Sequence, residues 1–180
     1  MNMKKIISFF IVACCAMCAT AAKVVWQIGV ADNSGTELAL GPSEYKKFLA
    51  HDFGYEDRYF LVGTSVDKND FPYVLPGPDD TWGGTWSTSG WRTHDANILF
   101  GIKKLPKHGK WKLVVDLVDA NPSRSVVKVM VNSAEKKFEI KGHSKGVLEG
   151  NLQDAKEQIL EFPISANDLK KGGNMVTVSV

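Results

Sequence analysis

Apolar and polar residues alternate along most of the chain, and this two-residue period is typical of β-strands with one buried face. The clearest case is 111–118, where Trp111, Leu113, Val115 and Leu117 would share a face. The pattern predicts strands in eight segments: 24–30, 58–62, 97–102, 111–118, 126–132, 136–140, 159–164 and 175–180. Short strands without alternating helices indicate an all-β fold, an antiparallel β-sandwich.

One segment has a helical pattern. Residues 42–49 would make about two turns of helix, with Ser43 as a suitable N-cap. Turn-forming residues occupy the connections between the strands, for example Asn121-Pro122 and the Lys-Lys-Gly-Gly-Asn run at 170–174. We therefore expect one sandwich domain with a single short helix.

The first 22 residues have the layout of a secretory signal peptide: Lys4 and Lys5, an apolar run from 6 to 17, and small residues before Lys23. The apolar run is too short to span a bilayer. Residues 11–14 also resemble a bacterial lipobox, in which Cys14 would carry lipid, but the apolar run continues past Cys14. This favours ordinary cleavage near residue 21 or 22, leaving 23–180 as a secreted or periplasmic domain.

Removal of the leader would change both the net charge and the number of cysteines. The chain has 22 basic and 20 acidic residues, and without Lys4 and Lys5 the two counts are equal. A neutral domain lacks the concentrated basic face that nucleic acid requires. All 3 cysteines lie before residue 23, so the mature domain would have no disulfide and no cysteine metal site. We expect no nucleic-acid partner and no integral membrane span.

Residues for catalysis or metal binding are scattered. No Gly-x-Ser-x-Gly motif occurs, and no two of the four histidines have the spacing of a zinc motif. The run Asp32-Asn33-Ser34-Gly35 offers oxygen ligands for calcium, although an Asx turn accounts for it more simply. We expect no catalytic residues, no metal site and no cofactor.

The segment 67–92 is unusually long for a connection and contains three tryptophans within ten residues. Indole rings can stack on the apolar faces of sugars, while nearby acids and arginine bond sugar hydroxyls. The candidate ligand-binding residues are Tyr73, Asp79, Asp80, Trp82, Trp86, Trp91 and Arg92. The alternative is that indoles close one end of the core. A place in the core is favoured for Trp91, whereas a place in the core and contact with a ligand are equally favoured for Trp82 and Trp86.

Several short motifs resemble the galactose-binding-like jelly-roll module of rhamnogalacturonan lyases, known there as domain III. They are Trp26-Gln27-Ile28-Gly29 followed by Asp32, His51-Asp52-Phe53-Gly54-Tyr55, Asp70-Phe71-Pro72-Tyr73, and Trp91 ahead of Ile98-Leu99-Phe100. Similar modules occur in secreted polysaccharide-degrading enzymes of Bacteroidetes. The resemblance implies a jelly-roll sandwich that contacts polysaccharide or packs on a catalytic domain. It implies no lyase activity, since the catalytic lysine and tyrosine of those enzymes lie on a separate domain.

The end of the sequence departs from this pattern. Related modules continue with a Gly-Ser-Trp turn and one last strand, whereas this sequence stops at 176–180. We therefore expect a sandwich that lacks its last strand, as in a piece of a larger gene product.

Three functions follow from these observations. The first is a secreted, non-catalytic module that contacts plant-type polysaccharide through the aromatic loop. The second is a structural module that packs against a catalytic lyase or glycoside hydrolase domain without binding sugar. The third is a small lyase or hydrolase, which would need an acid and a base in one cleft, for example His94 and Asp95 with Lys103.

Overall fold

The structure is a computed structural model of the chain. It describes residues 8–14, 23–32, 35–42, 44, 47, 57–75, 77, 93–105, 110–120, 126–146 and 153–180.

Four strands form the first sheet: β1 (Ser8–Cys14), β2 (Lys23–Ile28), β5 (Lys110–Leu117) and β8 (Gln158–Ile164). Their order across the sheet is β2-β1-β5-β8, and every neighbouring pair is antiparallel. Strand β1 lies within the predicted leader and was not predicted. In the full chain, which retains residues 1–22, it separates β2 from β5.

Five strands form the second sheet: β3 (Arg58–Leu61), β4 (Ala96–Ile102), β6 (Val126–Val131), β7 (Ala134–Glu139) and β9 (Gly172–Ser179). Their order is β3-β4-β9-β6-β7. The β3–β4 pair is parallel, and the other pairs are antiparallel. The predicted all-β sandwich is confirmed, and its one parallel pair among the described strands lies at this edge, where the long connection 62–95 lets the chain return to the same end of the sheet.

All eight predicted strands are confirmed, with ends that differ by at most three residues. The largest difference is at β9, because Gly172 and Gly173 were assigned to a turn but begin the strand. The predicted helix at 42–49 lies almost wholly outside the described residues. A four-residue helix, α1 (Asp67–Asp70), occurs at the start of the predicted loop, and a 3₁₀ turn covers Ala166–Asp168.

A large apolar core joins the two sheets in the described part of the chain. On β5 the predicted inward face is confirmed, since all four of its residues are buried. Strands β4, β6 and β9 contribute alternate residues from the other side, including Ile98, Val129 and Val176, each with no exposed surface. The rings of Trp26 on β2 and Phe100 on β4 meet across the core with centroids 5.3 Å apart.

A buried amide network closes one end of the second sheet. The Asn174 side chain donates to the carbonyl oxygens of Lys170 and Gly172, at 2.8 and 3.0 Å. Its Oδ1 accepts from the Lys170 backbone N–H at 2.8 Å and from Asn132 Nδ2 at 2.9 Å. Asn132 itself has φ 53°, a left-handed conformation that asparagine tolerates in the turn between β6 and β7.

Asp116 is a buried acid on the outer face of β5, with only 6% of its surface exposed. Its backbone lies opposite Ser8 in β1 and Ile159 in β8. Its Oδ1 has no hydrogen-bond partner among the described residues. Burial, together with the nearby charge of Glu157, raises the pKa of Asp116 from 3.8 to about 6.

Because the folded-state pKa of Asp116 lies above the unfolded value, stability should fall as the pH rises from about 4 to about 6 and then level off. We expect Asp116→Asn to remove this loss and to raise the free energy of unfolding at pH 7.5 by about 1 kcal/mol, a value reduced for screening by water. Urea unfolding of the full chain between pH 4 and 7.5 measures the difference. Parallel pH profiles for the variant and the wild type would contradict the assignment.

No helix in the described part of the chain is both long and apolar enough to cross a membrane.

Candidate functional site

Gly77 and Thr93, which flank residues 78–92 of the aromatic loop, both lie beside Val180. A Cβ placed on Gly77 would lie 3.6 Å from the Val180 side chain. At the other end, the Thr93 hydroxyl bonds the Val180 carbonyl oxygen and also accepts from the Val180 N–H at 3.2 Å. Gly77 and Thr93 are therefore held close together at the end of β9.

The chain approaching Gly77 is anchored in the core. The Tyr73 backbone N–H donates to the Ala39 carbonyl oxygen at 2.9 Å, and Ala39 N–H donates to the Phe71 carbonyl oxygen at 2.9 Å. A bridge between Ala39 and Pro72 lies at the same place. The Phe71 ring packs edge-on against Phe60 of β3, with centroids 5.8 Å apart. These contacts fix the first side of the loop to the edge of the second sheet.

Among the predicted ligand-binding residues, only Tyr73 is described. Its surface is fully buried within the core, so its ring presents no face to a ligand from solvent. This differs from the expectation, because loop position was used to infer exposure and the 71–73 segment in fact packs inward. The remaining candidates lie outside the described residues: Asp79, Asp80, Trp82, Trp86, Trp91 and Arg92.

Polar groups gather where the second side of the loop meets β3 and β4. The Asp95 backbone N–H donates to Asp57 Oδ1 at 3.0 Å, and the Asp95 backbone carbonyl oxygen accepts from the Arg58 N–H at 2.8 Å. His94 is buried, with 2% of its surface exposed. The carboxylate of Asp57 thus positions backbone at the base of the loop.

The acid–base set suggested for a small lyase or hydrolase, His94 and Asp95 with Lys103, is not brought together in the described residues. His94 and Asp95 precede β4, whereas Lys103 follows it. A seven-residue strand spans about 23 Å, so Lys103 lies at the opposite end of the sheet from the other two residues.

The outer face of the second sheet carries residues that sequence reasoning did not select. Tyr59, Asn97 and Thr177 are aligned across β3, β4 and β9. The Thr177 hydroxyl donates to Asn97 Oδ1 at 2.7 Å, and Tyr59 is 64% exposed. The strand alternation could have identified these residues as outward-facing, since they lie next to core residues such as Ile98 and Val176 in the sequence.

Metal ligands are not clustered in the part of the chain that the structure describes: no group of three or more His, Cys, Asp or Glu side chains could hold an ion there. The candidate calcium segment 32–35 is only partly described, because Asn33 and Ser34 fall outside.

A family model described as CBM-like, polysaccharide lyase family 4, domain III, matches residues 24–180. This chain belongs to that family. The match covers strands β2 to β9 apart from Lys23, the first residue of β2, and it confirms the suspected resemblance. Among curated proteins, no relative matches the chain.

Membership identifies the role of the domain at a coarse level. Domain III of polysaccharide lyase family 4 is a carbohydrate-binding-like accessory domain, distinct from the catalytic domain. The separation of His94 from Lys103 agrees with this assignment. The described all-β sandwich also agrees with it, because two packed sheets present loops at their ends.

Proposed function

We propose that this domain III module is secreted and binds plant-type polysaccharide through the loop 78–92. Trp82 and Trp86 would stack on sugar rings, and Asp79 and Asp80 would bond their hydroxyl groups. Arg92 would bond hydroxyls or pair with a uronate carboxylate, for which a guanidinium group is well suited. Tyr73 takes no part in contact with sugar, because it is buried, and instead anchors the loop.

The observation that carries this proposal is the position of Gly77 and Thr93, both against Val180. Because Gly77 and Thr93 lie together at the end of β9, the segment between them is attached to one end of the sandwich. We therefore propose that the indoles of this segment act at that end of the sandwich. A family of carbohydrate-binding-like modules favours the surface for at least Trp82 and Trp86.

Tryptophan fluorescence tests the proposal, because the tryptophans outside the loop are buried and should not respond to a glycan. Trp26 and Trp111 are 7% and 6% exposed, so a shift on adding glycan would originate in the loop indoles. We expect a saturable shift with one of rhamnogalacturonan, homogalacturonan or galactan fragments. The double variant Trp82→Ala, Trp86→Ala should lose about 2 to 3 kcal/mol of binding energy, roughly 30- to 150-fold in Kd.

Tyr59→Ala is the matched control, since Tyr59 is an exposed aromatic residue on β3 rather than in the loop. It should bind glycan as the wild type does, and circular dichroism should show that all variants are folded. Absence of a shift with all three polymers in a folded wild type, or equal loss in Tyr59→Ala, would contradict binding by the loop.

Secretion forms part of the proposal and rests on the signal-peptide pattern of residues 1–22. Mass measurement of the exported protein identifies its first residue. A product beginning near Lys23 would agree with ordinary cleavage and secretion. A lipid-modified product beginning at Cys14 would instead indicate membrane anchoring.

The alternative role, packing against a catalytic domain, is favoured by a different observation. Tyr59 and Leu61 project from edge strand β3 with 64% and 47% of their surfaces exposed, and Val66 beside them is 53% exposed. Aromatic and aliphatic groups of this kind are common at protein interfaces. Loss of association with a lyase catalytic domain in Tyr59→Ala, with glycan binding absent, would assign the module to this role.

A further inference from the structure

Two connections cross between the sheets at the same end of the sandwich. One leads from β4 to β5 and the other from β8 to β9. They start and finish side by side, since Ile102 pairs with Gly172 in the second sheet and Trp111 pairs with Ile164 in the first. This end lies about 26 Å from Val180 and the aromatic loop, because the eight residues of β9 separate them.

Lysine side chains are concentrated at this end of the sandwich. Residues 103–110 include four lysines, one histidine and no acid, and residues 165–171 include two lysines and one acid, Asp168. The Asp168 carboxylate already accepts the Ser165 backbone N–H at 2.9 Å. The surface formed by the described lysines is called the lysine end below, and all five are exposed: Lys103, Lys104, Lys110, Lys170 and Lys171.

The neutral total charge of the domain does not reveal this grouping. From residue 23 onward, basic and acidic residues are equal in number, so an excess of lysine at one end is balanced by acids elsewhere. At the opposite end, the connection 140–157 between β7 and β8 has three lysines and three acids. The concentration of positive charge at the lysine end therefore arises from the fold, which brings together two segments distant in sequence.

None of the five lysines forms an ion pair within the part of the chain that the structure describes. Lys103 and Lys171 each adjoin the terminal Ile102–Gly172 pair, on neighbouring strands. Like charges that face each other across neighbouring strands are destabilising. An anion bound between the two connections would relieve this repulsion.

The backbone that carries Lys170 and Lys171 is held in place. The Lys170 N–H donates to Asn174 Oδ1, and Asn174 Nδ2 donates to the Lys170 carbonyl oxygen, both at 2.8 Å. Gly172, which follows, has φ 94°, a conformation that other residues rarely adopt. Fixing the backbone before binding reduces the entropy that a ligand must overcome.

Exposed apolar side chains are absent from the described part of the lysine end. Leu169 is 5% exposed, and Leu105 packs against the core. A surface that inserts into a membrane presents aromatic or aliphatic groups beside its lysines, and protein interfaces are depleted in lysine. The composition of this surface therefore favours contact with a polyanion in solution.

We propose that the lysine end binds a polyuronate, a polysaccharide in which every sugar carries a carboxylate. Lysine suits such a chain, because its ammonium group is a hydrated point charge on a flexible stem and requires no fixed geometry of its partner. Membership in a family of carbohydrate-binding-like domains favours a polysaccharide over other polyanions. The proposal goes beyond sugar stacking at the loop 78–92 and does not depend on it.

Calorimetric titration of the full chain with polygalacturonate tests the proposal. We expect binding at about 50 mM NaCl that weakens roughly tenfold or more at about 300 mM, because salt screens the lysines and reduces the gain from released counterions. Fully methyl-esterified polygalacturonate keeps the sugars but has no charge. It should bind at least about tenfold more weakly than the free acid at the lower salt concentration.

Two variants with the same loss of net charge locate the site. The first removes three charges from the lysine end: Lys103→Gln, Lys104→Gln, Lys171→Gln. It should weaken polygalacturonate binding by about 10- to 30-fold. The matched control removes three exposed charges from the opposite end: Lys141→Gln, Lys145→Gln, Lys156→Gln. It should change binding by less than about threefold, and both variants should unfold in urea at the wild-type midpoint.

Three outcomes would overturn the proposal. Equal losses in the two variants would assign the effect to net charge, and equal binding of the esterified polymer would assign it to uncharged sugar groups. Binding of phosphatidylglycerol vesicles or duplex DNA without binding of polygalacturonate would assign the lysine end to a phosphate-bearing partner. The Trp82→Ala, Trp86→Ala variant should keep the salt-sensitive part of the binding, so failure of the loop site and failure of the lysine end are distinguishable.

Discussion

Replacing Trp26 with alanine should lower the free energy of unfolding by about 4 kcal/mol, within the range for large aromatic residues removed from a core. Trp26 is 7% exposed and lies on β2 of the first sheet, while its ring partner Phe100 lies on β4 of the second. Truncation therefore removes a contact between the two sheets and leaves a cavity between them. Since small domains have only about 5–15 kcal/mol of stability, urea unfolding should show a large shift of the midpoint.

Trp26→Phe separates packing from hydrogen bonding at this position. The indole Nε1 has no hydrogen-bond partner among the described residues, so phenylalanine removes no bond that the structure shows. We expect a loss of about 1 to 2 kcal/mol from reduced volume alone. A loss below about 1 kcal/mol in Trp26→Ala would contradict the bridging role of this side chain.

Replacing Asn174 with alanine should cost about 3 kcal/mol of unfolding free energy, because a buried amide with four hydrogen bonds is removed at once. Asn174 is 4% exposed, and all four bonds are to neighbours at the start of β9 or in the β6–β7 turn. Alanine would leave the Lys170 N–H and two carbonyl oxygens unsatisfied in a region with little water. Urea unfolding measures the loss.

Met175→Ala is the matched control for this variant, because Met175 is the next residue on β9 and 37% of its surface is exposed. It should cost less than about 1 kcal/mol. Hydrogen exchange at the Lys170 amide provides a local readout, since that group donates to Asn174 Oδ1 in the wild type. Exchange at an unchanged rate in Asn174→Ala would show that the network contributes little.

The strands could be predicted because their cause is local. A two-residue alternation places apolar groups on one face, and the inward residues of β5, from Trp111 to Leu117, are buried as the alternation requires. The short β7 was also predicted, although none of its residues is buried, because Phe138 and the following Ile140 lie two residues apart with a charged residue between them.

The site was predicted only in outline, because its arrangement depends on contacts between residues that are distant in sequence. Loop length and tryptophan content select the region 67–92, but they carry no information about which loop residues pack inward. Tyr73 is buried because the Ala39 and Phe71 backbones hold it against the core, and Ala39 is distant in sequence. The junction of Gly77 and Thr93 at Val180 likewise joins segments that no local pattern relates.

Alternation of side chains was enough to establish the all-β class, the strand positions and the inward face of each strong strand, since each depends on residues two apart. Neighbour relations required the folded chain: the parallel β3–β4 pair, the insertion of Ser8–Cys14 between β2 and β5, and the buried Asn132–Asn174 contact. A period of two decides which way a side chain points. Only the packing of the whole molecule decides which strand lies beside it, because many pairings satisfy the same alternation.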